Sequence, residues 1–243
     1  MHIRTSDDMS PFDFDEGEVL LVDKPVHWTS FDVVNKIRNT IRPKKLKVGH
    51  AGTLDPLATG LLIICTGKNT KKIDGFQAQH KEYTGTFTLG ATRPSYDMET
   101  EIDQTFPYEH LKEEEILEAV KHFIGEIDQY PPIHSAIKQN GERVYEKARR
   151  GEEVEMKSRR VEIFEMEITR VALPEVDFRI LCSKGTYIRS IAHDFGKIIN
   201  SGAYLSNLRR TKSGEFSVDK AWELTTLIEW IQEANKLITN ESI

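Results

Sequence analysis

The chain has 243 residues, 38% of them hydrophobic, and a formal net charge of −6, so it is long enough to bury a sizeable core. Both of its cysteines, Cys65 and Cys182, lie in apolar runs, which argues against a disulfide framework and a cysteine-based zinc site. No basic, apolar leader opens the sequence, and its purely apolar runs are far shorter than the roughly 20 residues of a membrane span. We therefore expect a cytoplasmic protein without a membrane segment.

The charge is unevenly distributed along the chain. Residues 1–18 carry a net charge of −5 and residues 99–128 carry −8, which leaves +7 for the remainder. Residues 36–47 hold six basic side chains and no acidic one. Solvation explains any one of these lysines, but together they predict a basic face that suits a polyanionic partner.

The first half of the chain combines short apolar runs with helical spacing. Residues 1–17 are acidic and lack periodicity, so we predict a loose tail there. The regular segments predicted after it are a strand over 18–22, a helix over 31–42 with Ser30 as its N-cap, a buried strand over 61–66 and an alternating strand over 83–89.

The second half begins with a connection over 92–107 that we predict to be mobile. The spacing over 109–124 predicts an acidic amphipathic helix that buries Leu111, Leu117, Val120 and Ile124. The elements predicted after it are a strand over 135–138, a basic helix over 142–150, a hairpin of strands over 160–171 and 176–182, a helix over 187–199, a strand over 203–211 and a last helix that carries Leu227, Trp230 and Ile231. This order supports a mixed class of helices and strands.

Residues 50–60 place one carboxylate, Asp55, among small, apolar and turn-forming residues. Gly52 and Gly60 can take backbone conformations that are closed to other residues, and Pro56 moves Asp55 away from the helical region. The sequence therefore predicts a shaped loop, and the basic side chains around it favour a catalytic role for its carboxylate on a polyanionic substrate. The alternative is structural, because Asp followed by Pro is also typical of a helix N-cap and its first helical residue; Asp55 would then simply cap a short turn.

The run Gly-His-Ala-Gly-Thr-Leu-Asp-Pro-Leu-Ala-Thr-Gly over 49–60 closely resembles the catalytic motif of the TruB family of tRNA pseudouridine synthases. Further blocks also match, and all of them occur in family order: they lie at 23–25 with 29–31, 81–83, 131–132 with 135–138, 184–189 and 208–210. The resemblance implies an α+β pseudouridine synthase fold, with a long, mixed, mainly antiparallel sheet, flanking helices and a central cleft. It also implies a catalytic domain over 18–225. The sequence departs from many bacterial members of the family, which carry a further C-terminal RNA-binding module, because we expect only a helix over 226–243 here and no separate C-terminal domain.

The resemblance implies that the protein isomerises uridine to pseudouridine at position 55, in the T-loop of tRNA, after flipping the base out. Asp55 matches the nucleophile, Arg189 matches the arginine that pairs with it, and Tyr83 matches the tyrosine that stacks on the target base. The further positions that match substrate-binding residues or suit phosphate contacts are His50, Tyr187, Leu208, Lys71 and Arg210. The T stem-loop of tRNA is the expected partner, and we expect a monomer that needs neither a metal nor a cofactor.

Two other functions are compatible with parts of this pattern. An RNA chaperone would use the basic run at 36–47, but it would not need Asp55 beside Arg189. A nucleosidase or glycosidase would also place a carboxylate at C1′ of a sugar, but such enzymes usually pair two carboxylates, and this loop offers one. Activity on free uridine would distinguish the nucleosidase from the RNA-directed functions.

Overall fold

A computed structural model describes residues 3–14, 16–41, 46–133, 135, 138–139, 142–143, 150 and 156–240. The chain divides into two compact units. The first unit contains Met1–Glu82 and Arg209–Ile243, and the second contains Tyr83–Leu208. Among the described residues, no helix is long and apolar enough to cross a membrane.

The fold class is α+β, as the resemblance implied. The strands of the described residues, in chain order, are β1 (Ile3–Arg4), β2 (Val19–Lys24), β3 (Val48–His50), β4 (Thr59–Thr66), β5 (Lys81–Leu89), β6 (Ala91–Thr92), β7 (Gln104–Thr105), β8 (Gly125–Gln129), β9 (Lys138–Gln139), β10 (Glu142–Arg143), β11 (Arg159–Ala172), β12 (Glu175–Cys182), β13 (Ala203–Ser213), β14 (Phe216–Ser217) and β15 (Trp222–Glu223).

The helices lie at intervals between these strands. They are α1 (Ser30–Thr40), α2 (Ile73–Ala78), α3 (Glu113–Val120), α4 (Ile188–Ile198) and α5 (Leu224–Asn240), together with 3-10 helices over Gly67–Lys72 and Val218–Lys220. The predicted strand over 61–66, the hairpin of β11 with β12, the helix that became α4 and the last helix are all confirmed, with ends that differ by a few residues.

In the first unit, a mixed sheet supports the loop at 50–60. β2 pairs antiparallel with β4, whereas β1 and β15 run parallel to β2. One face of β2 and β4 packs against α1 and α5, through apolar side chains such as Leu20, Leu62 and Ile37. Because β2 and β4 are apolar on both faces, they are held rigidly at the centre of this unit.

In the second unit, long antiparallel strands form the support. β11 pairs with β12 along most of its length and with β8 on its other side. Phe87 of β5 stacks on Phe178 of β12, with ring centroids 4.2 Å apart, and also packs against Phe195 of α4. This aromatic cluster fixes α4 on the strands, which matters because α4 carries Arg189.

The predicted loose tail is wrong for the described residues of 1–17. β1 pairs with β2, and the Arg4 side chain is buried against Glu18, with an Arg4 Nη2 to Glu18 Oε1 distance of 2.8 Å. Phe14 is also buried in the core. A buried guanidinium needs a paired carboxylate, and Glu18 lies 14 residues away in the sequence, so spacing alone could not reveal the pair.

Two helix predictions also need correction. The helix predicted over 109–124 is shorter, and Leu117 and Ile124 are 45% and 48% exposed, while Ile116 and Ala119 are buried instead. The helix predicted over 142–150 does not begin at Glu142, because Glu142 and Arg143 form β10, paired with β9. The rest of that prediction, and the middle of the strand predicted over 135–138, lie outside the described residues.

Candidate active site

The loop at 50–60 has the shaped backbone that its glycines predicted. Gly52 and Gly60 have φ angles of +95° and +103°, in the left-handed region that favours glycine. The loop contains a tight turn, because the Ala58 N–H donates to the Asp55 carbonyl oxygen at 3.1 Å. Asp55 starts this turn and is half-buried. It is followed by a turn rather than a helix, so Asp55 is not a helix N-cap, but its place at the start of a short turn also fits the structural alternative.

Ser30 fastens this loop to the start of α1. Its buried hydroxyl accepts a hydrogen bond from the Leu54 N–H at 2.9 Å and donates to the Leu54 carbonyl oxygen at 3.2 Å. The predicted N-cap at Ser30 is therefore wrong: Thr29 caps α1, in a capping box with Asp32. Because Thr29 provides the cap, the Ser30 hydroxyl can bind the backbone of Leu54, which precedes Asp55.

Arg210 supports the loop at 50–60 through hydrogen bonds to backbone carbonyl oxygens. It is only 1% exposed; its Nε donates to the Leu61 carbonyl oxygen at 2.7 Å, and its Nη2 donates to the Gly52 carbonyl oxygen at 3.1 Å. The sequence placed Arg210 as a phosphate contact, and the structure contradicts this because the guanidinium is buried among backbone carbonyls. Arg210 is instead a positioning residue for the loop.

Lys24 lies beneath the same loop, with no exposed surface. Its Nζ donates to the Trp28 carbonyl oxygen at 2.6 Å and to the Pro25 carbonyl oxygen at 2.8 Å, and the Pro56 carbonyl oxygen is 3.4 Å away. Burial lowers the pKa of Lys24 to about 8, and the negative charge of Asp55 opposes that shift. Sequence reasoning missed Lys24 as part of the site, although it lies in one of the matching blocks.

The other two predicted residues of the first unit differ in exposure. His50 ends β3 and is half-buried; burial and the positive charge of Arg210 lower its pKa, so its ring is neutral at physiological pH. Lys71 lies in the 3-10 helix over Gly67–Lys72 and is exposed. An exposed lysine can reach a phosphate, and a neutral imidazole can stack on a base.

In the second unit, Arg189 occupies the second position of α4 and is 4% exposed. Its Nη1 donates to the Ser95 carbonyl oxygen at 3.2 Å and lies 3.6 Å from Oδ2 of Asp97, which is itself buried. The sequence predicted a strand-to-helix junction for Arg189, which is confirmed, but missed Asp97. Asp97 lies in the segment 92–107, which had no periodicity to mark a buried carboxylate.

Tyr187 immediately precedes α4, and its backbone is held by Gln129. The Tyr187 N–H donates to Gln129 Oε1 at 2.7 Å, and Gln129 Nε2 donates to the Tyr187 carbonyl oxygen at 3.0 Å. The Arg159 guanidinium carbon lies 4.7 Å from the centroid of the Tyr187 ring. These contacts hold the residue before α4 in one conformation, with its ring half-buried.

Tyr83 and Leu208 complete the predicted set in the second unit. Tyr83 is half-buried near the start of β5, and Leu208 is 8% exposed in β13. An alternating strand predicted that Tyr83 and Phe87 share a face, but only Phe87 is fully buried. Partial exposure leaves the Tyr83 ring with a surface on which a flat ligand can stack.

The structure thus places His50, Asp55, Lys71 and Arg210 in the first unit, and Tyr83, Tyr187, Arg189 and Leu208 in the second. The predicted pairing of Asp55 with Arg189 joins residues of different units and stays a prediction. In the part of the chain that the structure describes, no three His, Cys, Asp or Glu side chains are arranged to hold a metal ion.

Residues 38–188 match the N-terminal domain of the family described as TruB family pseudouridylate synthase, and this match covers more than half of the chain. The chain belongs to the TruB family. The domain described as the tRNA pseudouridylate synthase B C-terminal domain matches residues 189–241, so the family's C-terminal pattern begins at Arg189 and includes α4, β13 and α5.

Curated relatives extend this match to nearly the whole chain. The tRNA pseudouridine synthase B of Flavobacterium johnsoniae is 62% identical over 229 residues, which are 92% of this chain and 100% of that protein. The protein of the same name from Phocaeicola vulgatus is 52% identical, over 90% of this chain and 95% of its own length.

Solved structures share the fold of this TruB chain. The crystal structure of a Cbf5-Nop10-Gar1 complex contains a chain with a TM-score of 0.68 and 29% identity, and the structure of an H/ACA RNP bound to a substrate RNA containing 2'-deoxyuridine gives 0.65 and 27%. The matches cover 91% and 89% of this chain, but only 60% and 53% of those chains. The predicted pseudouridine synthase fold is confirmed.

Proposed function

We propose that this TruB family member converts uridine to pseudouridine at position 55 in the T-loop of tRNA. The observation that carries the proposal is the loop at 50–60, where Ser30, Arg210 and Lys24 hold the backbone on both sides of a half-buried Asp55. A loop held this firmly can keep a carboxylate in one place against a sugar. The curated relatives named tRNA pseudouridine synthase B support the choice of tRNA as the substrate.

The reaction needs no oxidant and no external energy. The bond from N1 to C1′ breaks, the uracil turns, C5 joins C1′, and the proton displaced from C5 is replaced by one on N1. Asp55 acts either as a nucleophile or as a base and electrostatic partner beside C1′. Both routes need an ionised carboxylate, and both use the same position of the loop.

Arg189 supplies the guanidinium that we propose as the partner of the Asp55 carboxylate. A positive charge about 4 Å from a carboxylate favours its ionised form, by up to about 4 kcal/mol at an effective dielectric constant near 20. Arg189 is already held by the Ser95 carbonyl oxygen and Asp97, so its charge does not need to be oriented during the reaction. Preorganised charge of this kind is what stabilises a transition state.

The flipped uridine needs an apolar pocket and a support for the base. In this proposal the Tyr83 ring stacks on the base, while Tyr187 and Leu208 line its edges. Since the ordinary pKa of a tyrosine is about 10, stacking is a more effective role for Tyr83 than removal of the C5 proton. His50 fills the gap that the flipped base leaves in the RNA, and Lys71 contacts a phosphate.

The proposed partner is the T stem-loop of tRNA, and the protein acts as a monomer without a cofactor. We place the reaction in the cytoplasm, where free thiols such as the buried Cys65 and Cys182 persist. The assignment of 18–225 as the catalytic domain and of 226–243 as a C-terminal helix is part of the same proposal.

Tritium release from tRNA transcripts labelled at C5 of uridine tests the proposal directly. The wild-type protein should release one equivalent per tRNA, and a transcript with cytidine at position 55 should release none. Asp55→Asn should release none while binding tRNA as tightly as the wild type, and Asp74→Asn, on the exposed surface of α2, is the matched control. Full turnover by Asp55→Asn, or turnover of free uridine instead of tRNA, would refute it.

A further inference from the structure

The residues that hold Arg189 form a compact turn, here called the Asp97 turn (residues 95–100). The backbone N–H groups of Ser95 and Thr100 each donate to the other residue's hydroxyl, at 3.1 and 3.2 Å, and Glu99 N–H donates to Asp97 Oδ1 at 3.0 Å. The turn therefore holds its own shape through hydrogen bonds. These bonds do not fix the position of the turn against α4, the helix that carries the Arg189 guanidinium.

Tyr96 lies inside this turn, in an unusual backbone conformation. Its φ angle is +65°, in the left-handed region that residues with a Cβ rarely adopt, and its carbonyl oxygen accepts from the Leu205 N–H at 2.9 Å. The same segment forms a β-bridge between Asp97 and Leu205. A strained residue persists only where its surroundings compensate for the strain, so the Tyr96 ring is expected to make a strong contact.

That contact is a stack on His193 of α4. The two ring centroids are 3.9 Å apart and the planes differ by 10°, which is a parallel stack at van der Waals distance. His193 is half-buried, and its Nδ1 has no hydrogen-bond partner within the described part of the chain. Burial lowers the pKa of His193 to about 4, so the ring that faces Tyr96 is neutral at physiological pH.

Arg189 and His193 are four residues apart on α4 and therefore lie on the same face of the helix. α4 therefore contacts the Asp97 turn through two side chains that are four residues apart on the helix. Arg189 binds the Ser95 carbonyl oxygen and approaches Asp97, while His193 stacks on Tyr96. Without the second contact, Arg189 alone would hold the turn against α4, and the backbone bonds to Leu205 would fix only its side towards β13.

We propose that the stack of Tyr96 on His193 is a positioning device for Arg189. It fixes the Asp97 turn against α4, so that the guanidinium points in a single direction. The inference rests on the proposed function, because the direction of the Arg189 guanidinium matters only if Arg189 acts in pseudouridine formation.

Single-turnover kinetics on a T stem-loop RNA test this device. His193→Ala should lower the rate constant at saturating RNA tenfold or more, while the dissociation constant for the RNA stays within twofold of the wild-type value. His193→Phe keeps a flat ring and should stay within threefold of the wild-type rate. His122→Ala, an exposed histidine beyond α3, is the matched control and should have no effect. A wild-type rate for His193→Ala, or equal losses for the Ala and Phe variants, would overturn the proposal.

A second pair of variants guards against simple misfolding. Tyr96→Asn removes the ring but tolerates the left-handed backbone, so it should react slowly while the protein stays folded. Tyr96→Phe keeps the ring and should be as fast as the wild type. If Tyr96→Asn is folded and reacts at the wild-type rate, the stack does not position Arg189.

Amide hydrogen exchange separates this inference from the proposed function. The Glu99 and Thr100 amides, which donate within the Asp97 turn, should exchange at least tenfold faster in His193→Ala and at the wild-type rate in His193→Phe. This readout needs no RNA. If the wild-type protein forms no pseudouridine, the proposed function fails while the exchange data still decide whether the stack holds the turn; unchanged exchange in His193→Ala refutes the positioning device itself.

Discussion

The hydroxyl of Ser30 both accepts a hydrogen bond from the Leu54 N–H and donates one to the Leu54 carbonyl oxygen, at 2.9 and 3.2 Å. One buried side chain thus satisfies both backbone groups of the residue that precedes Asp55. Since buried backbone groups without partners cost free energy, this pair ties the conformation of the loop to the position of α1.

Ser30→Ala should therefore affect both stability and catalysis. The loss leaves two buried backbone groups without this partner, and we expect a decrease of about 1–3 kcal/mol in the free energy of unfolding. The rate constant at saturating RNA should fall at least tenfold, because the loop that carries Asp55 loses its anchor. Thr40→Ala removes an exposed hydroxyl at the other end of α1 and is the control for both measurements. Equal effects of the two variants in urea denaturation and single-turnover assays would contradict this role.

Gly60→Ala should be strongly destabilising. Gly60 has a φ angle of +103°. A Cβ there would collide with the Arg210 carbonyl oxygen and lie 2.7 Å from the Arg210 backbone nitrogen. A Cβ added at Gly75 in α2 would meet nothing within 4 Å, so Gly75→Ala should instead stabilise the protein, by about 0.5–1 kcal/mol. Thermal melts of both variants check the prediction. A Gly60→Ala protein as stable as the wild type would show that the loop can relax.

Lys24→Met should lower stability and slow the reaction. The methionine keeps an apolar stem of similar length but removes the ammonium group that binds the Pro25 and Trp28 carbonyl oxygens. Buried acceptors that lose their donor cost about 1–3 kcal/mol each, so the melting temperature should fall by several degrees. Lys236→Met, where an exposed lysine pairs with Glu233, should change it much less. A similar melting temperature for both variants would argue against the buried role of Lys24.

Gln129→Met should loosen the residue that precedes α4. It removes both hydrogen bonds to the Tyr187 backbone while it preserves most of the buried volume. We expect a KM for the RNA that rises more than kcat falls, because Tyr187 is proposed to line the base pocket rather than to react. Gln104→Met, at an exposed position of β7, is the matched control. Steady-state kinetics with unchanged KM would show that this clamp has no role in binding.

Acid should weaken the fold partly through His193. The unfolded chain binds a proton at this histidine near pH 6.5, whereas burial lowers the pKa of the folded state to about 4. Between these values the unfolded state binds more protons than the folded state. The contribution of His193 to the free energy of unfolding is therefore complete above pH 6.5 and is lost as the pH falls towards 4. His193→Phe cannot titrate, and its free energy of unfolding in urea should decrease less between about pH 7.5 and pH 5 than that of the wild type. Parallel decreases would exclude His193 as a contributor.

The sequence by itself determined the elements whose pattern is local. Alternation of apolar and polar residues indicated the hairpin of β11 and β12, and the apolar run at 61–65 indicated β4, because the burial of these strands follows the local pattern of apolar residues. The glycines at 52 and 60 indicated a shaped loop, since positive φ angles are strained for other residues. The motif at 49–60 and the further blocks in family order indicated the family, because each match is a contiguous run of residues.

Tertiary structure decided the roles that depend on partners distant in sequence. Arg210 looked like a phosphate contact and is buried under Gly52, 158 residues away; Arg4 lies in an acidic tail and pairs with Glu18 in the core. Asp97 and Tyr96 lie in a segment without periodicity, yet they contact Arg189 and His193 on α4. Hydrogen bonds and ring stacks between distant segments leave no spacing in the sequence, because the energy that selects them comes from burial in the folded chain.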